Sequence, residues 1–360
     1  MPKFHPLKVS NIRRETEDTV SVAFEVPAEL KEEYQFKQGQ YLTFKHEING
    51  EEVRRSYSIC RSPLDNELRV AIKKVEGGLF STFANESLAE GDILDTMTPM
   101  GRFYTTIYPA NEKHYVAFVS GSGITPVMAH MRTILQLEPK SSFTLVYGNK
   151  TTSSIIFKEE IEDLKNEYMD RLTVYNVLSR EENEIPLFMG RIDTEKCTSF
   201  MKYFIQPETI DEVFICGPAP MIDAVKAQCA AVGLDRKQVH FELFASPLQL
   251  AQAKEAVTKV ERETSGFQAK VKIILDGVAT EFIMDSKGEN ILDAAMKKGA
   301  DLPFACKGGV CATCRAKIDK GTVKMDINYG LEPDELERGF VLTCQAHPTS
   351  EEVVVNFDEA

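Results

Sequence analysis

The sequence predicts a multidomain chain: an antiparallel β-barrel first, an α/β domain built on a parallel sheet second, and a small α+β domain last. Three observations predict it. Residues 1–106 read as short strands separated by Gly, Pro and Asn; residues 107–245 alternate apolar strands with helices; and four of the eight cysteines lie beyond residue 300, three of them within nine residues. Residues 246–265 are polar, charged and alanine-rich without strand character, and read as a linker to a last domain at 266–360.

Composition narrows the function. With 360 residues, 43% of them hydrophobic and 27% charged, the chain is long enough to bury its core without a disulfide or a structural metal. The 42 Lys+Arg against 55 Asp+Glu leave a net charge of −13, which repels phosphate backbones and argues against nucleic acid. No apolar run reaches the ~18 residues of a membrane span, and Met1–Asn11 lacks the apolar core of a signal peptide. A cytoplasmic protein without membrane contact is expected, in which structural disulfides are rare.

The barrel strands are expected at Asp18–Val26, Gln40–His46, Val53–Cys60 and Glu67–Val75, where β-branched and aromatic residues cluster. In the second region, His114–Ser120 predicts a strand, Ile124–Leu137 a helix, Phe143–Tyr147 a strand, and Phe157–Tyr168 a helix with Ile161, Leu164 and Tyr168 on one face. Leu172–Val177, Glu195–Ile205, Val213–Cys216, Pro220–Val232 and Val239–Phe244 continue that alternation, which implies a parallel sheet with helices on both faces. Near the end, Lys270–Leu275 and Thr280–Asp285 flank the hairpin turn Asp276-Gly277, and the helix Asn290–Lys298 stops at Gly299.

The cysteines carry the sharpest signal. Cys306, Cys311 and Cys314 are followed by Cys344 after 29 residues, the C-x4-C-x2-C…C spacing that holds a [2Fe–2S] cluster in plant-type ferredoxins. Four thiolates must converge from a short wrapped loop. Gly308 and Gly309 are expected to permit the curvature and leave backbone N–H groups facing sulfur. Structural zinc prefers two close pairs, and only Cys311 and Cys314 form one. With its hairpin and helix, this segment resembles a β-grasp ferredoxin domain.

Two motifs lie in the barrel region. Arg55-Ser56-Tyr57-Ser58 falls in an expected strand. Ala71-Ile72-Lys73 then leads into Gly77-Gly78-Leu79-Phe80-Ser81-Thr82, where glycines and hydroxyls precede a possible helix and free N–H groups can meet a pyrophosphate. In the α/β region, Gly121-Ser122-Gly123-Ile124-Thr125-Pro126 links a strand to a helix, and Cys216-Gly217-Pro218 ends another strand just before Met221. The first lacks the third glycine of the dinucleotide fingerprint, so a tight structural turn is the competing reading. For Cys216 the competing reading is an inert buried thiol.

Together these motifs resemble the ferredoxin-NADP reductase superfamily. The resemblance implies that Tyr57 stacks on an isoalloxazine ring, Ser58 hydrogen-bonds near its N5, Arg55 meets the flavin phosphates, and Gly78–Thr82 meets the pyrophosphate. It implies that Thr125 sits near flavin and nicotinamide and that Cys216 lines the nicotinamide pocket. Glu242 resembles a position at the flavin edge; a buried, satisfied carboxylate is the other reading. Ser179, Arg180 and Arg191 resemble the residues that hold the 2′-phosphate of NADPH, with Lys150 as a further cation, although all could be plain surface residues.

The implied cofactors are FAD, NADPH and a [2Fe–2S] cluster. Flavin couples two-electron to one-electron chemistry, so it belongs between the other two. No Glu-x-x-His pair for a di-iron site is present, so the substrate is oxidised elsewhere. The run Arg54–Cys60, the loop Cys306–Cys311 and the acidic tail Val353–Ala360 resemble the reductase subunits of bacterial phenylacetyl-CoA epoxidases, which implies a di-iron oxygenase complex as partner. A Rieske-type dioxygenase or the hybrid cluster protein is the alternative acceptor.

Overall fold

The computed structural model describes residues 3–244 and 266–359; the expected linker at 246–265 lies outside the described residues. Residues 4–51 and 57–244, which carry most of the barrel and the parallel-sheet domain, form one compact unit, and residues 52–56 and 266–359 belong to another.

The first sheet has six strands in the order β4-β3-β6-β1-β2-β5. They are β1 (Phe4–Thr16), β2 (Thr19–Glu25), β3 (Tyr41–Ile48), β4 (Glu51–Ser58), β5 (Leu68–Lys73) and β6 (Ile93–Met97), with helix α1 (Leu79–Glu86) before the last. The ladder closes where Ile59 bridges Val70 and the Cys60 N–H donates to the Arg69 carbonyl at 2.9 Å. Closure removes the exposed edges that would otherwise invite another strand. Leu7, Val22, Leu42, Phe44, Val70 and Phe80 fill the interior. Strands β1 and β6 were not among those expected. Register shifts at Val9/Asn11 and Arg14/Thr16 break the alternation of β1, and β6 is only five residues long.

The second sheet is wholly parallel, in the order β11-β10-β7-β8-β9. Strands β7 (His114–Ser120), β8 (Ser142–Asn149), β9 (Leu172–Leu178), β10 (Ile210–Gly217) and β11 (Val239–Leu243) alternate with α2 (Ile124–Leu137), α3 (Lys158–Glu167), α4 (Thr194–Tyr203) and α5 (Ala219–Ala231). Successive strands run outward from β7 through β8 to β9, then resume on its other side with β10 and β11. Right-handed crossovers therefore put α2 and α3 on one face and α4 and α5 on the other. The order reverses between β7 and β10, the switch point at which open α/β sheets bind their ligands.

The last unit carries a five-stranded sheet, β13-β12-β18-β14-β16, and a two-stranded sheet, β15-β17. Its elements are β12 (Gln268–Leu275), β13 (Val278–Asp285), α6 (Ile291–Lys297), β14 (Arg315–Lys320), β15 (Val323–Met325), α7 (Pro333–Glu337), β16 (Phe340–Leu342), β17 (Ala346–Pro348) and β18 (Glu352–Asn356). Asp276 and Gly277 both take positive φ, 52° and 71°, as a two-residue hairpin turn requires, and Asp358 accepts both of their N–H groups. Asn290 caps α6 by accepting from the Asp293 N–H at 2.9 Å. The expected fold class is the observed one: antiparallel barrel, parallel α/β sheet and small α+β domain.

Candidate functional site

The reversal between β7 and β10 brings two predicted motifs together. Gly121–Gly123 leaves β7, and Cys216-Gly217 ends β10 beside it, with Cys216 in register with Val119. Gly123 has to be glycine: a Cβ there would lie 2.2 Å from the Cys216 carbonyl oxygen. Gly121 takes φ 55° and faces open space, and the Tyr147 hydroxyl donates to its carbonyl at 3.0 Å. The Thr125 hydroxyl donates to the Ser122 carbonyl at 2.9 Å, so it braces the turn. Ile124, Thr125 and Pro126 are buried, whereas Gly121 and Ser122 remain accessible. Pro218 caps α5, and buried Met221 packs toward Gly217. The Phe244 N–H donates to the Gly217 carbonyl at 3.1 Å, drawing the end of β11 over the same spot.

Glu242 sits beside Cys216 on the neighbouring strand. The residue is partly exposed, yet its Oε2 is sealed and has no hydrogen-bond partner. Burial pushes its carboxyl up to about 8, so it keeps a proton at neutral pH. Burial, then the nearby Glu242, raise the Cys216 thiol, which stays neutral. The reading of Glu242 as a satisfied carboxylate does not hold for Oε2.

Strand β4 carries Arg55, Ser56, Tyr57 and Ser58. Ser58 is buried, and the other three are half-buried. The Tyr57 ring lies 5.7 Å from Phe80 and 6.2 Å from Phe44. Phe80 itself is core, stacked on Phe44 at 5.8 Å. Ala71 and Ile72 are also buried, and Lys73 pairs with Asp18 at 3.4 Å. The side chains of Phe80 and Ile72 thus belong to the barrel interior, so only their backbone is placed to meet a ligand. Ser81 accepts from the Val75 N–H at 3.2 Å and donates to the Gly78 carbonyl, fixing the turn that opens α1. Gly77 takes φ 70° over open space, and Thr82 is half-buried in the first helical turn. Such a turn with free N–H groups suits a pyrophosphate. Strand β5 also adjoins the Gly121–Gly123 turn, so the two predicted cofactor regions meet.

At the far end of β8 and β9, the Ser179 N–H donates to the Asn149 carbonyl at 2.9 Å and the Arg180 N–H to the Lys150 carbonyl at 2.8 Å. The Gly190 N–H returns to the Leu178 carbonyl, which brings Arg191 to the same corner. Lys150, Ser179, Arg180 and Arg191 are exposed, and none of the three cations has an ion-pair partner among the described residues. The nearby Glu181 carboxylate is held by the Thr152 N–H and hydroxyl at 2.8 and 2.7 Å. Two residues here were not predicted: Asn149, whose buried Nδ2 has no partner, and Lys196, whose Nζ lies 3.6 Å from where a Gly190 Cβ would stand. Asn149 ends β8 and Lys196 lies in the first turn of α4, so neither place follows from a motif.

The cysteine loop is wound by left-handed residues. They are Lys307, Gly309 and Ala312, with φ 49°, 74° and 54°; Gly308, expected to share this role, does not have a positive φ. A Cβ on Gly309 would sit 2.8 Å from the Ile327 carbonyl. The N–H groups of Gly308 and Cys311 donate to Cys306 Sγ at 3.3 and 3.4 Å, and the Thr313 hydroxyl donates to Cys311 Sγ at 3.2 Å. The Cys311 thiol and then these backbone donors pull Cys306 down, and Cys344 is lowered chiefly by Cys314. Gln345, beside Cys344, approaches its sulfur at 3.7 Å and anchors to the Lys307 carbonyl at 3.0 Å. Thr313 and Gln345 were not predicted, though both adjoin cysteines in sequence. Soft sulfur donors stabilised as anions by N–H groups fit an iron–sulfur cluster.

Three family models match in chain order: an oxidoreductase FAD-binding domain over residues 6–104, an oxidoreductase NAD-binding domain over 118–227, and a 2Fe-2S iron-sulfur cluster binding domain over 273–349. One of the subunits of 1,2-phenylacetyl-CoA epoxidase from Escherichia coli (strain K12) is 45% identical over 360 residues, covering 99% of each chain. The chain belongs to the ferredoxin-NADP reductase family with a C-terminal ferredoxin domain. Another member, the ferredoxin reductase component of 3-ketosteroid-9-alpha-monooxygenase from Rhodococcus rhodochrous, is 32% identical over 98% of this chain and 96% of its own. The fold matches phthalate dioxygenase reductase at TM-score 0.60 and 21% identity, over 98% of both chains. As a member of this family, the chain is an oxidoreductase with binding domains for FAD, a nicotinamide dinucleotide and a 2Fe-2S cluster. Among the described residues, no helix is long and apolar enough to cross a membrane.

Proposed function

We propose that this chain is the cytoplasmic reductase subunit of a phenylacetyl-CoA epoxidase, delivering electrons from NADPH to a di-iron oxygenase partner. The observation that carries the reading is the end-to-end identity of 45% with an epoxidase component, across all three domains. When bound, FAD converts the paired electrons of a nicotinamide into the single electrons that a [2Fe–2S] cluster accepts.

In this reading the residues divide the work. Tyr57 and Ser58 orient the flavin from β4, while Arg55 and the Gly77–Thr82 turn take its phosphates. The Gly121–Pro126 turn admits the nicotinamide dinucleotide, and Cys216 lines the pocket as a neutral thiol. Glu242, protonated beside it, adds a hydrogen-bond donor without a charge. Lys150, Ser179, Arg180 and Arg191 take the 2′-phosphate that distinguishes NADPH, a preference supported by three unpaired cations at one corner. Thr152 holds the Glu181 carboxylate by two hydrogen bonds, which keep it anionic and tie it to the turn after Lys150. Cys306, Cys311, Cys314 and Cys344 hold the cluster, with N–H groups offsetting the charge of the sulfurs.

The purified protein, mixed with the phenylacetyl-CoA oxygenase, should consume NADPH only when phenylacetyl-CoA is present. Equal or faster coupling to a Rieske-type dioxygenase or to the hybrid cluster protein would reject the epoxidase as partner.

A further inference from the structure

A network of charges joins the barrel to the α/β domain at a place no motif marks. Just past β4, Arg61 donates through Nη1 and Nη2 to both carboxylate oxygens of Glu160 on α3, at 2.5 and 2.9 Å. Its Nε donates to Glu67 at 2.7 Å, and its side chain is only 6% exposed. Four residues on, Asp65 accepts from Arg132 Nε on α2 at 2.9 Å. Between these pairs, the Thr133 hydroxyl donates to the buried Ser62 hydroxyl at 2.9 Å. Arg13 and Arg132 each approach Glu160 at 3.9 Å. Burial works against the charge on Glu67, but hydrogen bonds from Arg69 and Arg61 hold its carboxyl down to about 2.

The network stands where it can set a distance. Arg61 follows Ser58 by three residues, on the run that carries Tyr57. Arg132 and Thr133 sit two turns along the helix that starts at Ile124 and carries Thr125. Arg61 is buried and Glu160, Asp65 and Arg132 are partly so, and ion pairs in such places add little net stability, which leaves fixing a geometry as their use here. A two-pronged Arg–carboxylate pair is especially directional.

We propose that Arg61, Asp65, Arg132 and Glu160 are positioning residues: a charged clamp that fixes the strand bearing Tyr57 and Ser58 against the helix bearing Thr125, and so sets the spacing for electron transfer from nicotinamide to flavin. This rests on the function proposed above. Among the described residues, no hydrogen bond or ion pair of the clamp reaches a predicted cofactor residue, so it acts on rate without altering dinucleotide affinity.

The test uses the full-length protein carrying flavin and cluster, with Glu160→Gln and Asp65→Asn as separate variants. In stopped-flow mixing with NADPH, the limiting rate of flavin reduction should fall at least about tenfold in each, while the NADPH dissociation constant changes less than about twofold. Amide hydrogen exchange should quicken in residues 61–65 and α2 but not in β3 and β6. A limiting rate equal to wild type in both variants would overturn the clamp, as would rate, affinity and thermal stability falling together. A wild-type protein that NADPH cannot reduce would instead overturn the proposed function, and the clamp's role with it.

Discussion

Replacing Gly123 by alanine tests whether the close approach of β7 and β10 serves the reaction. The added methyl would lie 2.2 Å from the Cys216 carbonyl oxygen and 2.6 Å from its carbonyl carbon. Ordinary contact starts at 3.4 Å, so turn and strand would have to part by about 1.2 Å. Both partners are buried backbone, and no side-chain rotation relieves the clash. Overpacking of this kind costs about 1–3 kcal/mol, which lowers the melting temperature by several degrees without abolishing the fold. The displacement falls between the Ser122–Thr125 turn and Cys216, both assigned to the nicotinamide pocket. A misplacement of about 1 Å at reacting groups costs on the order of a hundredfold in rate. Stopped-flow reduction of the flavin by NADPH measures that rate at saturation. A Gly123→Ala protein that melts lower yet reduces its flavin at the wild-type rate would refute the link between this packing and electron transfer.

Other outcomes follow from the same geometry. Cys311→Ser should prevent cluster assembly while NADPH still reduces the flavin; iron content and the visible spectrum check this, and loss of both activities together would mean the unit had collapsed. Arg180→Ala should raise KM for NADPH several-fold more than for NADH, since it removes one of three cations at the 2′-phosphate corner; steady-state kinetics with both coenzymes decide it. Glu242 binds a proton more tightly folded, at about 8, than the ordinary 4.5. Between those values the folded state holds more protons than the unfolded one, so stability falls as pH rises through this window. Glu242→Gln should flatten that slope in denaturant titrations, and an unchanged slope would remove Glu242 as its source.

The sequence made the chemistry more legible than the scaffold. Cysteine spacing, Gly121–Pro126 and Arg55–Ser58 are local patterns, because close turns and converging thiols constrain neighbouring residues. Strand β1 was hidden because bulges at Val9/Asn11 and Arg14/Thr16 break its alternation and place Arg13 and Arg14 in a strand. Closure at Ile59–Val70 pairs two strands that were both expected, but their alternation does not say that they meet. Phe80 and Ile72 fall inside motifs, yet barrel packing takes their side chains. In the cysteine loop, Lys307 and Ala312 adopt the backbone expected of Gly308 because the loop must curve at those positions. Asn149 and Lys196 reach their places only through tertiary proximity, whereas Thr313 and Gln345 stand within two residues of the cysteines they touch. The clamp at Arg61 and Glu160 joins residues 99 positions apart, beyond any motif.

The most direct test is an anaerobic titration of the purified protein with NADPH, following flavin and iron–sulfur absorbance alongside flavin and iron content. One flavin and two irons per chain are expected, with the flavin bleaching first and the cluster signal falling as electrons reach it. A reconstituted protein that holds no iron, or whose flavin bleaches while an intact cluster stays oxidised, would contradict the account.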